Sequence, residues 1–179
     1  MKLLKISYLL FFCLALEAVI VDTGHANVSL VKFESLEGNR SKTLLGIKMD
    51  MQENWHTYWK NPGDSGGPIK VKWSHDNNIS ISKIYWPTPT LIPYEPLMTY
   101  GYKNFVIFPF EITNSNNKNS YIEANIDFLI CDDSCVPEKA LIKTNLDEIK
   151  SDPSLNDWFL KVPDQILPVK ASVDSEYIN

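Results

Sequence analysis

Cysteine and histidine are scarce in this chain, three of each in 179 residues. So few soft ligands leave little from which to build a metal centre. Runs of basic residues are missing, and the formal net charge is −5. A mildly acidic chain of this kind is a poor nucleic-acid binder. Beyond the N-terminal stretch, charged or polar residues interrupt every apolar run. None approaches the roughly 20 residues that a membrane-spanning helix needs. The sequence contains neither an internal repeat nor a low-complexity segment.

The N-terminus sets the compartment. Lys2 and Lys5 precede an apolar run from Ile6 to Ala18, and Gly24-His25-Ala26 places small residues at the recognition positions of a cleavage site. These are the parts of a secretory signal peptide, and cleavage is predicted before Asn27. The run is short for an uncleaved anchor, and Glu17 and Asp22 shorten it further. Removing residues 1–26 leaves 153. That length suits one domain, expected over 27–170, followed by a loose polar tail over 171–179. The chain would then carry no membrane span after leader removal. Cys13 leaves with the leader, so Cys131 and Cys135 are the only cysteines expected in the exported chain.

Strand periodicity dominates the rest. Leu45, Ile47, Met49 and Met51 alternate with Gly46, Lys48 and Asp50, and Ile69, Val71 and Trp73 alternate with Lys70 and Lys72. The clearest alternation is Ile122, Ala124, Ile126, Phe128 and Ile130 against Glu123, Asn125 and Asp127, with residues 141–146 as its returning partner. Period two marks half-buried strands. Phe105 to Ile112 is a continuous apolar run containing Pro109, which predicts an edge or bulged strand. Asn61 to Pro68, Asp76 to Asn78 and Asn114 to Asn119 supply turn residues between strands. Short strands punctuated in this way predict an all-β sandwich or barrel. One short helix is expected near the end. Ser151 or Asp152 would cap it, Pro153 would sit in its first turn, and Leu155, Trp158 and Phe159 would form its apolar face.

Cys131 closes the best strand and Cys135 opens the return, so the pair lies across a hairpin end. Strand parity turns Cys131 away from the core, where another protein could reach it. Three chemistries are open to such a pair in an oxidising compartment: thiol–disulfide exchange, a local structural staple, or half of a metal site. A staple closing so short a loop stabilises by only about 2 kcal/mol in the chain-entropy picture. A copper site of this spacing takes histidine or methionine nearby. No His or Met follows Cys135, and only His56 and His75 remain in the expected mature chain. No cofactor is predicted. Asp132 and Asp133 disfavour a thiolate beside them, so the pair is better suited to being attacked by a partner's thiolate than to attacking.

Gly63-Asp64-Ser65-Gly66-Gly67-Pro68 matches the nucleophile motif of chymotrypsin-like proteases. A triad needs a histidine base and a buried aspartate. The one upstream histidine of the expected mature chain, His56, lies nine residues before Ser65, with too little chain ahead of it for the first barrel of that fold. The motif is read as a loop between strands.

Trp55-His56-Thr57-Tyr58-Trp59-Lys60-Asn61-Pro62-Gly63-Asp64-Ser65-Gly66 resembles the signature of the N-terminal domain of DsbD-like thiol:disulfide interchange proteins, closest to the ScsB branch. Trp86-Pro87-Thr88-Pro89, Tyr100-Gly101-Tyr102 and Cys131…Cys135-Val136-Pro137-Glu138 resemble its later blocks, in order. The resemblance implies an immunoglobulin-like β-sandwich in the periplasm. It implies a Cys131/Cys135 pair that relays reducing equivalents between a thioredoxin-like or DsbD-type membrane redox protein and periplasmic disulfide-containing substrate proteins. The membrane and thioredoxin-like domains of the best-known members have no counterpart in this sequence. Those members also space their cysteines more widely. Of the aromatic blocks, Trp55, Tyr58, Trp59, Tyr100 and Tyr102 are candidates for shielding the pair or docking a partner, together with His56, which could supply a proton. A non-catalytic binding module with a structural disulfide, or a copper-binding protein, is the alternative.

Overall fold

The alternation over residues 122–130 builds an inner strand of the fold. The computed structural model describes residues 19–32, 42–115, 119–152 and 156–163. Ile122, Ala124, Ile126, Phe128 and Ile130 are buried, whereas Glu123, Asn125, Asp127 and Leu129 between them are not. The elements in order are β1 (Ile20–Asp22), β2 (Ala26–Lys32), β3 (Lys42–Met51), β4 (His56–Gly63), β5 (Lys70–His75), β6 (Ile79–Ile81), β7 (Thr90–Tyr94), β8 (Leu97–Lys103), β9 (Phe105–Asn114), β10 (Tyr121–Cys131) and β11 (Cys135–Asn145), then a 3₁₀ turn (Leu146–Glu148) and α1 (Asn156–Phe159).

One sheet has the order β1-β2-β3-β9-β6, and the other β11-β10-β4-β8-β7 with β5 also on β10. Leu45, Ile47 and Met49 of β3 and Val106, Phe108 and Phe110 of β9 face Ile122, Ile126, Ile130 and Ile142 of the second sheet in one buried cluster. The ring centroids of Trp73 and Phe110 lie 4.8 Å apart, and those of Trp86 and Phe108 5.2 Å apart. The result is an all-β, immunoglobulin-like sandwich with one short C-terminal helix. Truncating a core residue such as Ile126 to alanine costs about 2–5 kcal/mol in sites of this kind.

Strand β9 differs from the expectation of an edge strand. It pairs with β3 from Phe105 to Thr113, and with β6 only at Ile112 to Asn114. Its run is apolar throughout because both faces are covered. Val106, Phe108 and Phe110 face the sandwich core, while Ile107 joins Val31 under Trp158 of α1. Pro109 is tolerated because its carbonyl points away from β3, accepting from Tyr85 N at 2.7 Å. A residue's N and O lie on the same side of a strand, so the missing N–H costs the β3 ladder nothing.

The helix is a single turn whose Trp158 packs edge-on against Phe105 at 5.0 Å. The expected contributions of Pro153 and Leu155 lie outside the described residues, as do residues 1–18 of the expected leader and the expected tail over 171–179. Residues 20–26 belong to the fold. Strand β1 pairs with β2 through Ile20↔Ser29, Val21↔Val28 and Asp22↔Asn27. The cleavage point expected before Asn27 therefore falls inside a paired hairpin. Among the described residues, no helix is long and apolar enough to cross a membrane.

Candidate functional site

Strands β10 and β11 pair without a break from Tyr121↔Asn145 to Cys131↔Cys135. The uninterrupted register delivers the two cysteines as the last facing pair, joined by the turn Asp132-Asp133-Ser134. Asp132 N donates to Ser134 O at 3.2 Å across that turn. The cysteines form a disulfide, with Cα atoms 4.1 Å apart.

The two sulfurs have unequal surroundings. Cys135 is exposed, while Cys131 is only 2% exposed. This corrects the expectation that Cys131 is open to a partner. Parity does place Cys131 on the outer face of its sheet, with its β4 neighbour His56. That face is solvated along most of β10 but roofed at this end. The loop after β4 folds back over it, and the β7–β8 hairpin curls across it. A cavity of about 90 Å³ remains beside the disulfide, lined by His56, Tyr58, Ser65, Ile92, Leu97 and Thr99 together with Cys131, Asp132, Asp133 and Cys135. Sequence parity within one strand cannot report a roof supplied by segments 30 to 70 residues away.

Tyr58 is the aromatic residue that touches the sulfurs. Its hydroxyl donates to Cys131 Sγ at 2.8 Å and lies 3.3 Å from Cys135 Sγ. Burial pushes the phenol pKa up, partly offset by a hydrogen bond with Ser65. Tyr58 therefore stays protonated, and a donor, at neutral pH. The loop containing Gly63-Asp64-Ser65-Gly66 holds it there. Gly66 has φ +85°, and a Cβ at this position would stand 2.2 Å from Tyr58 Cε1. Only glycine lets the loop lie on that ring. Asp64 secures the loop to the hairpin, its N donating to Met98 O at 3.1 Å and its Oδ2 accepting from Met98 N at 2.9 Å. The protease-like motif is thus a packing loop over the disulfide.

The other candidates separate by strand face. His56 shares the face of Tyr58 and packs against it edge-on at 5.3 Å. Its pKa is lowered by burial, then by Lys103, with Asp132 opposing. It is neutral at pH 7 and does not offset the acidic turn as a cation. Trp55 and Trp59 lie on the opposite side of β4 and pack against the core. Tyr102 is buried, donating to Pro87 O at 2.8 Å and stacking edge-on with Phe108. Tyr100 is exposed on the outer side of the hairpin, beside Leu91, its partner on β7. Of the six, the structure brings His56 and Tyr58 to the disulfide. Ser65, Ile92, Leu97 and Thr99 also line its cavity. The alternation of Trp55 and Trp59 with His56 and Tyr58 was the available signal for this division.

Among the described residues, no group of three or more His, Cys, Asp or Glu side chains is placed to hold an ion. His75 pairs with Ile122, nine residues along β10 from Cys131 and so roughly 30 Å away.

A sandwich with a half-buried disulfide at a hairpin end, in contact with a tyrosine hydroxyl and roofed by a loop, is an arrangement suited to thiol–disulfide exchange. The sequence agrees: residues 27–146 match the N-terminal domain of the thiol:disulfide interchange protein DsbD, and the chain belongs to that family. Among solved structures it is similar to the N-terminal periplasmic domain of ScsB from Proteus mirabilis, with TM-score 0.59 and 21% identity over 80% of this chain and 58% of that one. The chain thus spans a little over half of that relative, and the likeness is one of fold. The GAE domain of GGA2p from Saccharomyces cerevisiae aligns with TM-score 0.39 and 10% identity, over 72% of this chain and 97% of that domain, and carries no argument. No curated protein matches the chain.

Proposed function

We propose that this protein is a periplasmic thiol–disulfide exchange module that relays reducing equivalents through Cys131 and Cys135. Its donor would be a thioredoxin-like or DsbD-type membrane redox protein, and its acceptors periplasmic proteins with disulfides. The observation that carries the reading is the asymmetry of the pair: Cys135 is exposed, and Cys131 is buried against a hydroxyl donor.

The chemistry follows from that asymmetry. A partner thiolate attacks Cys135 Sγ, the Cys131–Cys135 bond breaks, and a mixed disulfide forms at Cys135. The electron pair leaves on Cys131, where the Tyr58 hydroxyl stabilises the developing thiolate. Hydrogen bonds to charged groups contribute about 1.5–3 kcal/mol. A second partner thiolate then attacks the partner's sulfur in the mixed disulfide. Cys135 leaves as a thiolate, both cysteines take up protons, and the partner is left oxidised. The reduced pair passes its two electrons to a substrate disulfide by the reverse sequence. The exposed Asp132 and Asp133 raise the barrier to attack by anionic small thiols, which favours protein partners that bring compensating charge.

The test is the midpoint potential of the pair in a defined redox buffer. A relay needs a value within reach of periplasmic partners. A value below roughly −300 mV marks a resistant structural bond and would sink the reading.

A further inference from the structure

Glu138 is a buried carboxylate on β11, only 7% exposed, and among the described residues its side-chain hydrogen-bond partners, Thr23 and His25, come from the N-terminal segment. His25 Nδ1 lies 2.5 Å from Glu138 Oε1. Thr23 Oγ1 donates to the other carboxylate oxygen and also contacts Ala26 O at 3.0 Å. The His25 ring stacks on Trp55, with centroids 3.8 Å apart and planes 28° from parallel. The backbone of this segment is fixed as well: Gln52 N donates to His25 O at 2.9 Å, and Gln52 Nε2 donates to Gly24 O at 2.7 Å.

The placement of these partners gives the contact its meaning. Glu138 lies three residues beyond Cys135 on β11 and pairs with Phe128. Trp55 directly precedes His56, the residue of β4 that pairs with Cys131. Strand β10 lies between β11 and β4. His25 therefore reaches across the end of β10, touching one flanking strand with its ring edge and the start of the other with its face. It ties together the strand that carries Cys135 and the strand that carries Tyr58.

We infer that Thr23–His25 is a clamp that positions Tyr58 against the Cys131–Cys135 disulfide, and that the exported chain keeps it because leader cleavage falls upstream of Thr23. This deepens the exchange reading and rests on it. His25 is a positioning residue, acting through β4 and β11 and touching neither sulfur. A cut before Asn27 would remove both side chains that satisfy Glu138, and an unpartnered buried carboxylate is strongly destabilising. It would also sever the β1–β2 hairpin within its paired register.

Two measurements on the exported full chain test this. The first is its N-terminal sequence after export: a start upstream of Thr23 is expected, and a start at Asn27 overturns the clamp. The second is the equilibrium constant of the Cys131–Cys135 pair against dithiothreitol, which reads resistant disulfides as well as labile ones. His25→Ala is expected to shift the constant toward the disulfide by about threefold to fivefold, no more than loss of the Tyr58 hydrogen bond itself and within the range of coupling between contacting residues. It should do so in the same direction as Tyr58→Phe, and add nothing further in the Tyr58→Phe background. Glu138→Gln, which keeps hydrogen-bonding oxygen and nitrogen in place, should stay within about twofold of the parent, below the usual size of such coupling. Melting temperatures identify any variant that has lost the fold, in which case His25→Gln replaces His25→Ala. A folded His25 variant within twofold of the parent, or one whose effect adds in full to that of Tyr58→Phe, overturns the proposal. The parent's own constant reports on the exchange reading separately, because a bond too stable for a relay would still show the ratio between variants.

Discussion

The Tyr58 hydroxyl points at Cys131 Sγ from 2.8 Å, so the buried sulfur of the pair has a hydrogen-bond donor waiting for it. Reduction places charge or a polar thiol on that sulfur, and the donor favours the reduced form. Tyr58→Phe removes the hydroxyl while keeping the ring. The expected outcome is a loss of about 1 kcal/mol from the reduced state, the usual net value of one hydrogen bond. That corresponds to a midpoint potential about 20 mV more negative for a two-electron couple. Reduction by dithiothreitol should slow by about tenfold or more, because a hydrogen bond to the charged leaving thiolate is worth about 1.5–3 kcal/mol. Stopped-flow reduction and a redox titration check both.

Gly66 and Tyr58 are in mutual contact, and the glycine has no room for a side chain. Gly66→Ala meets both a positive φ and the Tyr58 ring. The expected cost is about 1–3 kcal/mol of stability, with the loop lifted from the ring. Cys131 should then become more open. In a Cys135→Ser background, alkylation of Cys131 by iodoacetamide is predicted to accelerate relative to the same chain with Gly66 intact. Equal rates would show that the loop does not control access.

His56 links the site to pH. Its folded pKa lies below its unfolded value of 6.5, because burial and Lys103 disfavour the cation. Between those two values the unfolded chain binds more protons than the folded one, so stability rises with pH. The contribution is complete above 6.5 and is lost as pH falls through the folded pKa. Glu123, Asp127 and Glu148 are also lowered, each first by a side-chain hydrogen bond, from Tyr121, Lys139 and Asn145 respectively. Their losses begin only in the carboxylate range, further down. His56→Gln is therefore predicted to flatten the fall in melting temperature below pH 6.5 and ahead of the carboxylate range, leaving the steeper acid limb in place. An unchanged slope in that window would contradict the assignment.

Asp132 and Asp133 sit exposed beside the open sulfur. Replacing both with asparagine should speed reduction by the anionic thiol glutathione by about two- to fivefold at low ionic strength. The gain should shrink in high salt, where the Debye length falls to about 3 Å at 1 M. A gain unaffected by salt would point to a change in the turn itself.

Much of the scaffold could be read from side-chain order. The Ile122-to-Ile130 alternation gave β10, its buried face and the cysteine at its end, because one face of that strand meets the core and the other meets water. The apolar run at Phe105 to Ile112 was harder. Burial on both faces erases alternation, and Pro109 imitates an edge although its missing N–H faces away from β3, on the side where its carbonyl accepts from Tyr85 N. The burial of Cys131 depends on Gly66 and the β7–β8 hairpin folding back from elsewhere in the chain, which no local pattern encodes. Sequence pattern places His25 in a leader, because Gly24-His25-Ala26 looks like a cleavage site. Its contacts with Glu138 and Trp55 join residues 113 and 30 positions away, and the fold alone brings them together.

The exchange account rests on Cys135 as the attacked sulfur and Cys131 as the buried leaving group. The direct measurement is trapping with a thioredoxin-like domain carrying a single active-site cysteine, activated as a mixed disulfide with thionitrobenzoate. The Cys131→Ser chain, with Cys135 free, should couple to it rapidly and completely. The Cys135→Ser chain, with only buried Cys131, should couple at least about tenfold more slowly, as expected for a thiol shielded from its partner. Equal coupling by the two variants, or faster coupling through Cys131, would contradict the account.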